Sequence, residues 1–234
     1  RVAIQKAKQN ASKAMEKERL LIEAGYASNF ESDFEKFYSI LLDINKKFPK
    51  EKIVYTMLSS YYLRLGDVQK MLETCQKALA LDPNYGEAHN MIAFVYVLKE
   101  DYDQAVRHLE KYVELNPREP NPYDSLADAY LLMGRLDEAM AAYAKAIALK
   151  SDFMPTYPKL AYAYALNEDY PKALEWIDKY LAGAPEPADE VACYRWRAFY
   201  SLWLGSEEAC LGQIQKMTEV VAAQGMFGGE HHWI

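Results

Sequence analysis

The chain has 234 residues, of which 51% are apolar and 13% aromatic, so it holds enough apolar material for a continuous core. Its 27 Lys and Arg against 34 Asp and Glu give a formal net charge of -7. That charge argues against general nucleic-acid binding and against attraction to an anionic membrane surface. The three cysteines lack C-x-x-C spacing, which argues against a disulfide framework or a zinc knuckle and favours a reducing, cytoplasmic compartment.

The first residues predict a charged helix. The chain opens on Arg1 and continues without the apolar core of a signal peptide. We expect residues 1–17 to be a leading helix, the end of a preceding unit, and the chain to be truncated at both ends. The longest uninterrupted apolar run, residues 91–98, has only eight residues. A spanning helix needs roughly 18, so we expect no membrane insertion.

Residues 18–51 predict a degenerate version of the helix hairpins that follow. The second half carries apolar residues at helical spacing and ends near Pro49, with Phe37, Leu41 and Ile44 on one face. The first half, residues 18–28, matches a repeat helix poorly.

Four blocks of 34 residues then follow without insertion, over residues 52–85, 86–119, 120–153 and 154–187. The fourth position of each block is Tyr or His, the seventh is Leu or Ile, the eighth is small and the eleventh is Tyr. In block order these residues are Tyr55, Leu58, Ser59 and Tyr62, then His89, Ile92, Ala93 and Tyr96, then Tyr123, Leu126, Ala127 and Tyr130, then Tyr157, Leu160, Ala161 and Tyr164.

Each block predicts a helix hairpin. Two amphipathic stretches carry apolar residues at three- and four-residue steps, the period of a helix with one buried face. A turn separates the stretches, and Gly66 and Gly134 in two of the turns favour a left-handed backbone position there. A single hairpin cannot bury both of its faces, so we expect the hairpins to stack. The blocks close on Pro83, Pro117, Ser151 and Pro185.

Residues 188–234 predict a last hairpin that is out of phase with the array, and we expect it to be truncated. Its helices, over 191–204 and 207–224, follow a longer connector. The run GMFGGEHHWI at the end of the chain is similar to the start of another helix. Terminal repeats often drift because one face meets solvent or another domain.

The 34-residue pattern resembles the tetratricopeptide repeat family over residues 52–187. The resemblance implies an all-α fold, a right-handed superhelical solenoid of antiparallel helix hairpins. The departures are mild: Tyr or His stands where the family favours Trp at the fourth position, Met71 replaces a small residue, and Ser151 replaces Pro.

In that family the first helices of the hairpins line a concave groove, and positions two, five, six, nine, twelve and thirteen contact the partner. The resemblance therefore implies a partner-binding groove that includes Thr56, Ser60, Arg64, Glu87, Asn90, Met91, Phe94, Val97, Asn121, Asp124, Ser125, Asp128, Leu131, Lys159, Tyr162 and Leu166.

These residues also indicate the kind of partner. Clamping the C-terminal tail of an Hsp70 or Hsp90 chaperone needs cations, and the corresponding positions lack them, so we expect a different protein or peptide. Acidic and amide groups around Phe94 and Tyr162 predict a segment with a hydrophobic anchor and a Lys or Arg. The alternative is that Asp124 and Asp128 are simply solvated charges one turn apart.

No catalytic signature is present: the sequence has no Walker loop, H-E-x-x-H, G-x-S-x-G or dinucleotide fingerprint. We expect neither an enzyme nor a bound cofactor. His231 and His232 diverge by about 100° on a helix, so we expect no metal site. We expect His89 to pack at an interface between helices, His108 to be exposed, and Cys75 to be a small buried hydrophobic side chain.

The leading hypothesis is a protein-interaction scaffold. The first alternative is a sensory or regulatory module of a larger bacterial signalling protein with a kinase, cyclase or DNA-binding domain, because residues 11–27 are similar to stretches that connect repeats in such regulators. An enzyme built on a helical solenoid is a further alternative. Self-association through Trp196 and Trp203 of the terminal hairpin also remains open; these rings would otherwise pack inside their own hairpin.

Overall fold

The computed structural model describes residues 2–11, 14–183 and 186–224, and this part of the chain is helical throughout with no strand. It divides into two compact units, residues 1–116 and 117–234. Within the described ranges no helix is both long and apolar enough to cross a membrane.

Unit 1 holds seven α-helices in its described residues, with a short π-helical turn, Ala27–Glu31, after the second. Each first helix packs beside the second helix of its own hairpin, as α4 does with α5 and α6 with α7, and α5 also packs on α6. The helices are α1 Val2–Asn10, α2 Glu16–Tyr26, α3 Phe34–Lys47, α4 Lys52–Arg64, α5 Val68–Leu81, α6 Gly86–Leu98 and α7 Tyr102–Leu115.

In its described residues, unit 2 continues the same arrangement with three hairpins, α8–α9, α10–α11 and α12–α13. The second helix of one hairpin packs on the first helix of the next, α9 on α10 and α11 on α12. The helices are α8 Pro120–Leu132, α9 Leu136–Leu149, α10 Thr156–Leu166, α11 Tyr170–Ala182, α12 Pro187–Trp203 and α13 Glu207–Ala223.

Aspartates start the second helices at the repeat spacing. The carboxylates of Asp33, Asp67, Asp101 and Asp169 each accept a hydrogen bond from the backbone N–H three residues later. An acceptor here satisfies one of the unpaired N–H groups of a helix start and contributes about 1 kcal/mol. Ser206 does the same for α13.

Small residues at the eighth position allow close packing within each hairpin. The eighth-position residues are buried, and so are the twentieth-position residues of the same four hairpins. The two sets are Ser59, Ala93, Ala127 and Ala161, and Met71, Ala105, Ala139 and Ala173. Leu160 and Tyr143 fill the spaces between neighbouring helices. The core thus alternates small and large side chains.

The fourth-position residues tie each hairpin to the loop before it. In every block the side chain reaches the carbonyl oxygen six residues earlier, and His89 makes the same contact through Nε2 that the tyrosines make through their hydroxyls. The pairs are Tyr55–Pro49, His89–Pro83, Tyr123–Pro117 and Tyr157–Ser151. This contact needs a hydrogen-bond donor on an aromatic ring. Tyr and His both provide one at the fourth position, where the family favours Trp.

The last hairpin keeps the repeat but is displaced by three residues. Gly66 and Gly134 occupy the hairpin turns at positive φ and lie 68 residues apart, two block lengths, whereas Gly205 follows Gly134 after 71. The extra residues lengthen α12, which has 17 residues against 13 in α8. The start of a further helix that the end of the sequence predicts lies outside the described residues.

With that shift, α12 buries three positions that the other first helices also bury. Its third, eighth and tenth positions are buried, as they are in α6. The residues are Cys193, Ala198 and Tyr200 in α12 and Ala88, Ala93 and Val95 in α6.

Candidate protein-interaction face

In unit 1 the predicted groove residues lie on α4 and α6, which pack beside each other. Thr56 is buried and its hydroxyl donates to the Ile53 carbonyl, 3.0 Å away. Ser60 is exposed but donates to the backbone of Thr56. The Arg64 guanidinium stacks 3.3 Å from the centre of the Phe34 ring. These polar groups therefore make contacts within the chain.

The remaining unit 1 positions are on α6 and are more open. Phe94 is 43% exposed and Glu87 is also exposed. Asn90, Met91 and Val97 are partly buried. Phe94 is the one large apolar side chain among the predicted unit 1 residues that presents substantial surface.

In unit 2 three predicted residues form a charge cluster, which we call the α8–α10 ion cluster: Asp124, Asp128 and Lys159. The Lys159 ammonium lies 2.7 Å from a carboxylate oxygen of each aspartate. Asp124 is buried and also accepts a hydrogen bond from Thr156, at 2.7 Å. Asp124 is therefore not a solvated charge, and its carboxylate is paired inside the fold.

The cluster extends beneath the surface to α9. The Tyr143 hydroxyl is buried and donates to Asp128 at 2.5 Å. Burial, and then the bond to Asp128, raise the pKa of Tyr143, so it remains a donor at ordinary pH. Burial lowers the pKa of Lys159, but the two carboxylates outweigh it and the net pKa is raised. Lys159 therefore stays charged.

The other unit 2 positions flank this cluster. Asn121, Ser125 and Leu131 of α8 are partly buried, and Tyr162 and Leu166 of α10 are exposed. The Tyr162 ring lies 6.0 Å from the Trp196 ring, so α10 and α12 are neighbours on this face.

The three-residue shift gives α12 groove positions that counting by 34 misses. When positions are numbered back from Gly205, the fifth, sixth, ninth, twelfth and thirteenth are Arg195, Trp196, Phe199, Leu202 and Trp203. Phe199, Leu202 and Trp203 are among the most exposed large apolar side chains of the unit, at 45%, 48% and 51%. The glycine turn at 205 is the signal in the sequence that would have placed them.

Phe199 and Trp203 stack with ring centres 6.2 Å apart, and each of the two rings lines a different cavity. One, of about 320 Å³, has an apolar wall and lies between α12 and α13. It is lined by Arg195, Ala198, Phe199, Leu202, Cys210, Ile214 and Met217. We call it the apolar cavity.

The second cavity, of about 280 Å³, contains the predicted residues Tyr162 and Leu166. Its remaining lining is Ala165, Glu168, Tyr170 and Trp203. We call it the aromatic cavity. Trp196 packs on Tyr162, Phe199 and Tyr200, so it lies within the unit, whereas Trp203 has half of its surface open.

His89 and His108 form a pair between α6 and α7. Their Nδ1 atoms are 3.0 Å apart, and His89 Nε2 contacts the Pro83 carbonyl. Burial, and then the nearby His89, lower the pKa of His108. The prediction of an interface position for His89 is confirmed, but that of an exposed His108 is wrong, because the Tyr96 ring stacks on it and it is half-buried.

The thiols differ in access. Cys75 is buried, as predicted, and burial raises its pKa to about 11. Cys193 is also buried and its pKa is likewise raised to about 11, whereas Cys210 is partly exposed. Across the described ranges no group of three His, Cys, Asp or Glu side chains is arranged to hold a metal ion. His231 and His232 lie outside those ranges.

A family profile and several solved structures match this architecture. The profile of the tetratricopeptide repeat family matches residues 62–129 and 97–157. No curated protein sequence matches the chain. Among solved structures, PilW, described as a widely conserved type IV pilus biogenesis factor, is 17% identical, with a TM-score of 0.72 and 93% of each chain covered.

Two further solved structures share the fold. MamA from Desulfovibrio magneticus RS-1 is 19% identical, with a TM-score of 0.63, over 74% of this chain and 96% of that one. YrrB, described as having an unusual peptide-binding site, is 16% identical, with a TM-score of 0.58, over 77% and 91%. At such identities the likeness establishes the fold.

The repeated helix hairpins and these neighbours define the class: an all-α helical-repeat protein of the solenoid type. The family profile matches the central blocks, so residues 62–157 are tetratricopeptide repeats.

Proposed function

We propose that this chain is a protein-interaction scaffold, and that unit 2 binds a segment of a partner protein along α10 and α12. The observation that carries the proposal is the pair of cavities lined by the exposed Phe199–Trp203 stack. Contiguous exposed apolar surface of this kind marks interaction sites. The peptide-binding site of YrrB, which has the same fold, is consistent with it.

The two cavities suit a partner segment with two chemically different side chains. The apolar cavity takes the hydrophobic anchor, because an anchor there loses water without covering a polar wall. The aromatic cavity has a carboxylate, Glu168, in its lining and suits the Lys or Arg. Asp124 and Asp128 are already paired with Lys159. They therefore join α8 to α10 and do not bind the partner's cation.

Selection from a random-peptide phage library on the full chain, followed by calorimetry of the selected peptide, tests the proposal. Burying a Phe side chain contributes about 1.5–3 kcal/mol. Phe199 has 45% of its surface left to bury, so Phe199→Ala should weaken binding by about 1 kcal/mol, or about fivefold. Leu202→Ala should act in the same direction.

Leu81→Ala is the matched control, because Leu81 is a comparably exposed apolar residue on α5 of unit 1. It should leave the affinity unchanged. Equal binding by wild type and Phe199→Ala, or failure to select any peptide, would refute the proposed face.

A further inference from the structure

The aromatic cavity combines three aromatic rings with one carboxylate. Tyr162, Tyr170 and Trp203 line it together with Glu168. The rings of Tyr170 and Trp203 lie 5.7 Å apart, tilted by 42°, so they form two walls rather than a flat stack. Trp203 is 51% exposed, which leaves about half of its surface available to a ligand.

Glu168 lies in the lining at a conformational cost. Its φ is 60°, a left-handed position that glycine occupies in the turns at Gly66 and Gly134. A side chain there costs about 1 kcal/mol or more. The described part of the chain provides no ion pair for this carboxylate. The nearby Lys172 pairs instead with Asp169, at 2.8 Å.

These features select the charge of the ligand. Aromatic faces carry negative potential and attract cations, Trp most strongly. An apolar group in the same place would take water from the Glu168 carboxylate without replacing its hydrogen bonds, which is costly. A cation satisfies both the rings and the carboxylate.

We propose that the aromatic cavity binds an arginine side chain of the partner, an inference that rests on the proposed partner-binding function. The planar guanidinium is weakly hydrated and stacks on aromatic rings. Its parallel N–H groups also match the two oxygens of a carboxylate. Arginine therefore uses Trp203 and Glu168 together, whereas lysine offers a compact and strongly hydrated charge.

The test is a titration of the isotope-labelled full chain with Nα-acetyl-arginine methylamide, followed through the tryptophan indole N–H signals by NMR. Loss of one signal in Trp203→Phe identifies Trp203. We expect a saturable shift of that signal. The citrulline counterpart, neutral and of the same shape, should bind at least about threefold more weakly, the effect of a cation–π contact at an exposed site.

Glu168→Gln should weaken binding of the arginine probe by about two- to fivefold, the range for loss of an exposed ion pair. Glu100→Gln is the control, because Glu100 has the same backbone conformation, at φ 59°, in a unit 1 turn. Equal binding of arginine and citrulline, an unchanged affinity in Glu168→Gln, or tighter binding of the lysine counterpart would each overturn the assignment.

The two proposals fail separately. The probe is a single residue, so its binding is measurable whether or not any peptide occupies the apolar cavity. A selected peptide whose affinity does not change when its arginines become citrulline overturns the arginine site alone. Probe binding without any selected peptide overturns the scaffold face alone.

Discussion

Lys159→Met is the change that most sharply tests the packing of the proposed interaction face. Lys159 bridges the carboxylates of Asp124 and Asp128 across two hairpins, both at 2.7 Å. Met keeps the length and apolar character of the lysine stem but removes the charge. Asp124, only 6% exposed, would then keep its hydroxyl bond from Thr156 and lose its counter-charge.

The expected loss follows from the burial of the pair. Breaking a fully buried ion pair costs about 3–5 kcal/mol because a charge is left uncompensated, whereas exposed pairs contribute about 0–1. The Lys159 side chain is 34% exposed while that of Asp124 is 9% exposed, so the pair lies between these limits. We expect Lys159→Met to lower the free energy of unfolding by about 2 kcal/mol.

Urea unfolding followed by circular dichroism measures this loss. Lys150→Met is the control, because Lys150 and Asp152 form an open pair at 3.8 Å and its loss should change stability by less than about 0.5 kcal/mol. Adding Asp124→Asn to Lys159→Met should restore part of the stability by removing the stranded charge. An unchanged midpoint in Lys159→Met, or further loss in the double variant, would show that Asp124 does not depend on Lys159 for its counter-charge.

Three further predictions concern other parts of the chain. Because the pKa of His108 is lowered from 6.5 in the folded protein, the unfolded chain takes up this proton more readily. Stability should therefore be fully present above about pH 6.5 and fall as the pH drops below it. In urea unfolding at several pH values, His108→Asn should flatten that fall. Of the three thiols, only Cys210 should react rapidly with Ellman's reagent in the folded protein, since the other two are buried; two or three fast thiols would contradict this. Glu168→Gly should raise the free energy of unfolding by about 0.5–1 kcal/mol, because glycine adopts φ 60° without steric cost. A loss of stability would show that the backbone at Glu168 is not strained.

The sequence predicted the helix hairpins because their signals are local. Apolar spacing, small residues and turn residues recur every 34 positions, and each acts within one hairpin. The left-handed turns show the limit of residue type as a guide: Glu100 and Glu168 adopt the same positive φ as Gly66 and Gly134. The packing of the hairpin imposes that conformation even where the residue disfavours it.

The site was harder to predict because its decisive contacts join different hairpins. Lys159 meets Asp124 35 residues away, and nothing in either helix alone indicates the pairing. Phe199 was not predicted, and Trp203 was considered only for self-association, because counting by 34 ignores a three-residue insertion before the turn at Gly205. Aligning the last hairpin on that glycine would have recovered them.

The most direct test of the central claim is hydroxyl-radical footprinting of the full chain with and without a selected peptide. If the partner binds along α10 and α12, oxidation of Phe199 and Trp203 should fall severalfold in the complex, while that of Phe94, in unit 1, stays constant as an internal reference. Unchanged oxidation of Phe199 and Trp203 at saturating peptide would show that the partner binds elsewhere and would contradict the proposed face.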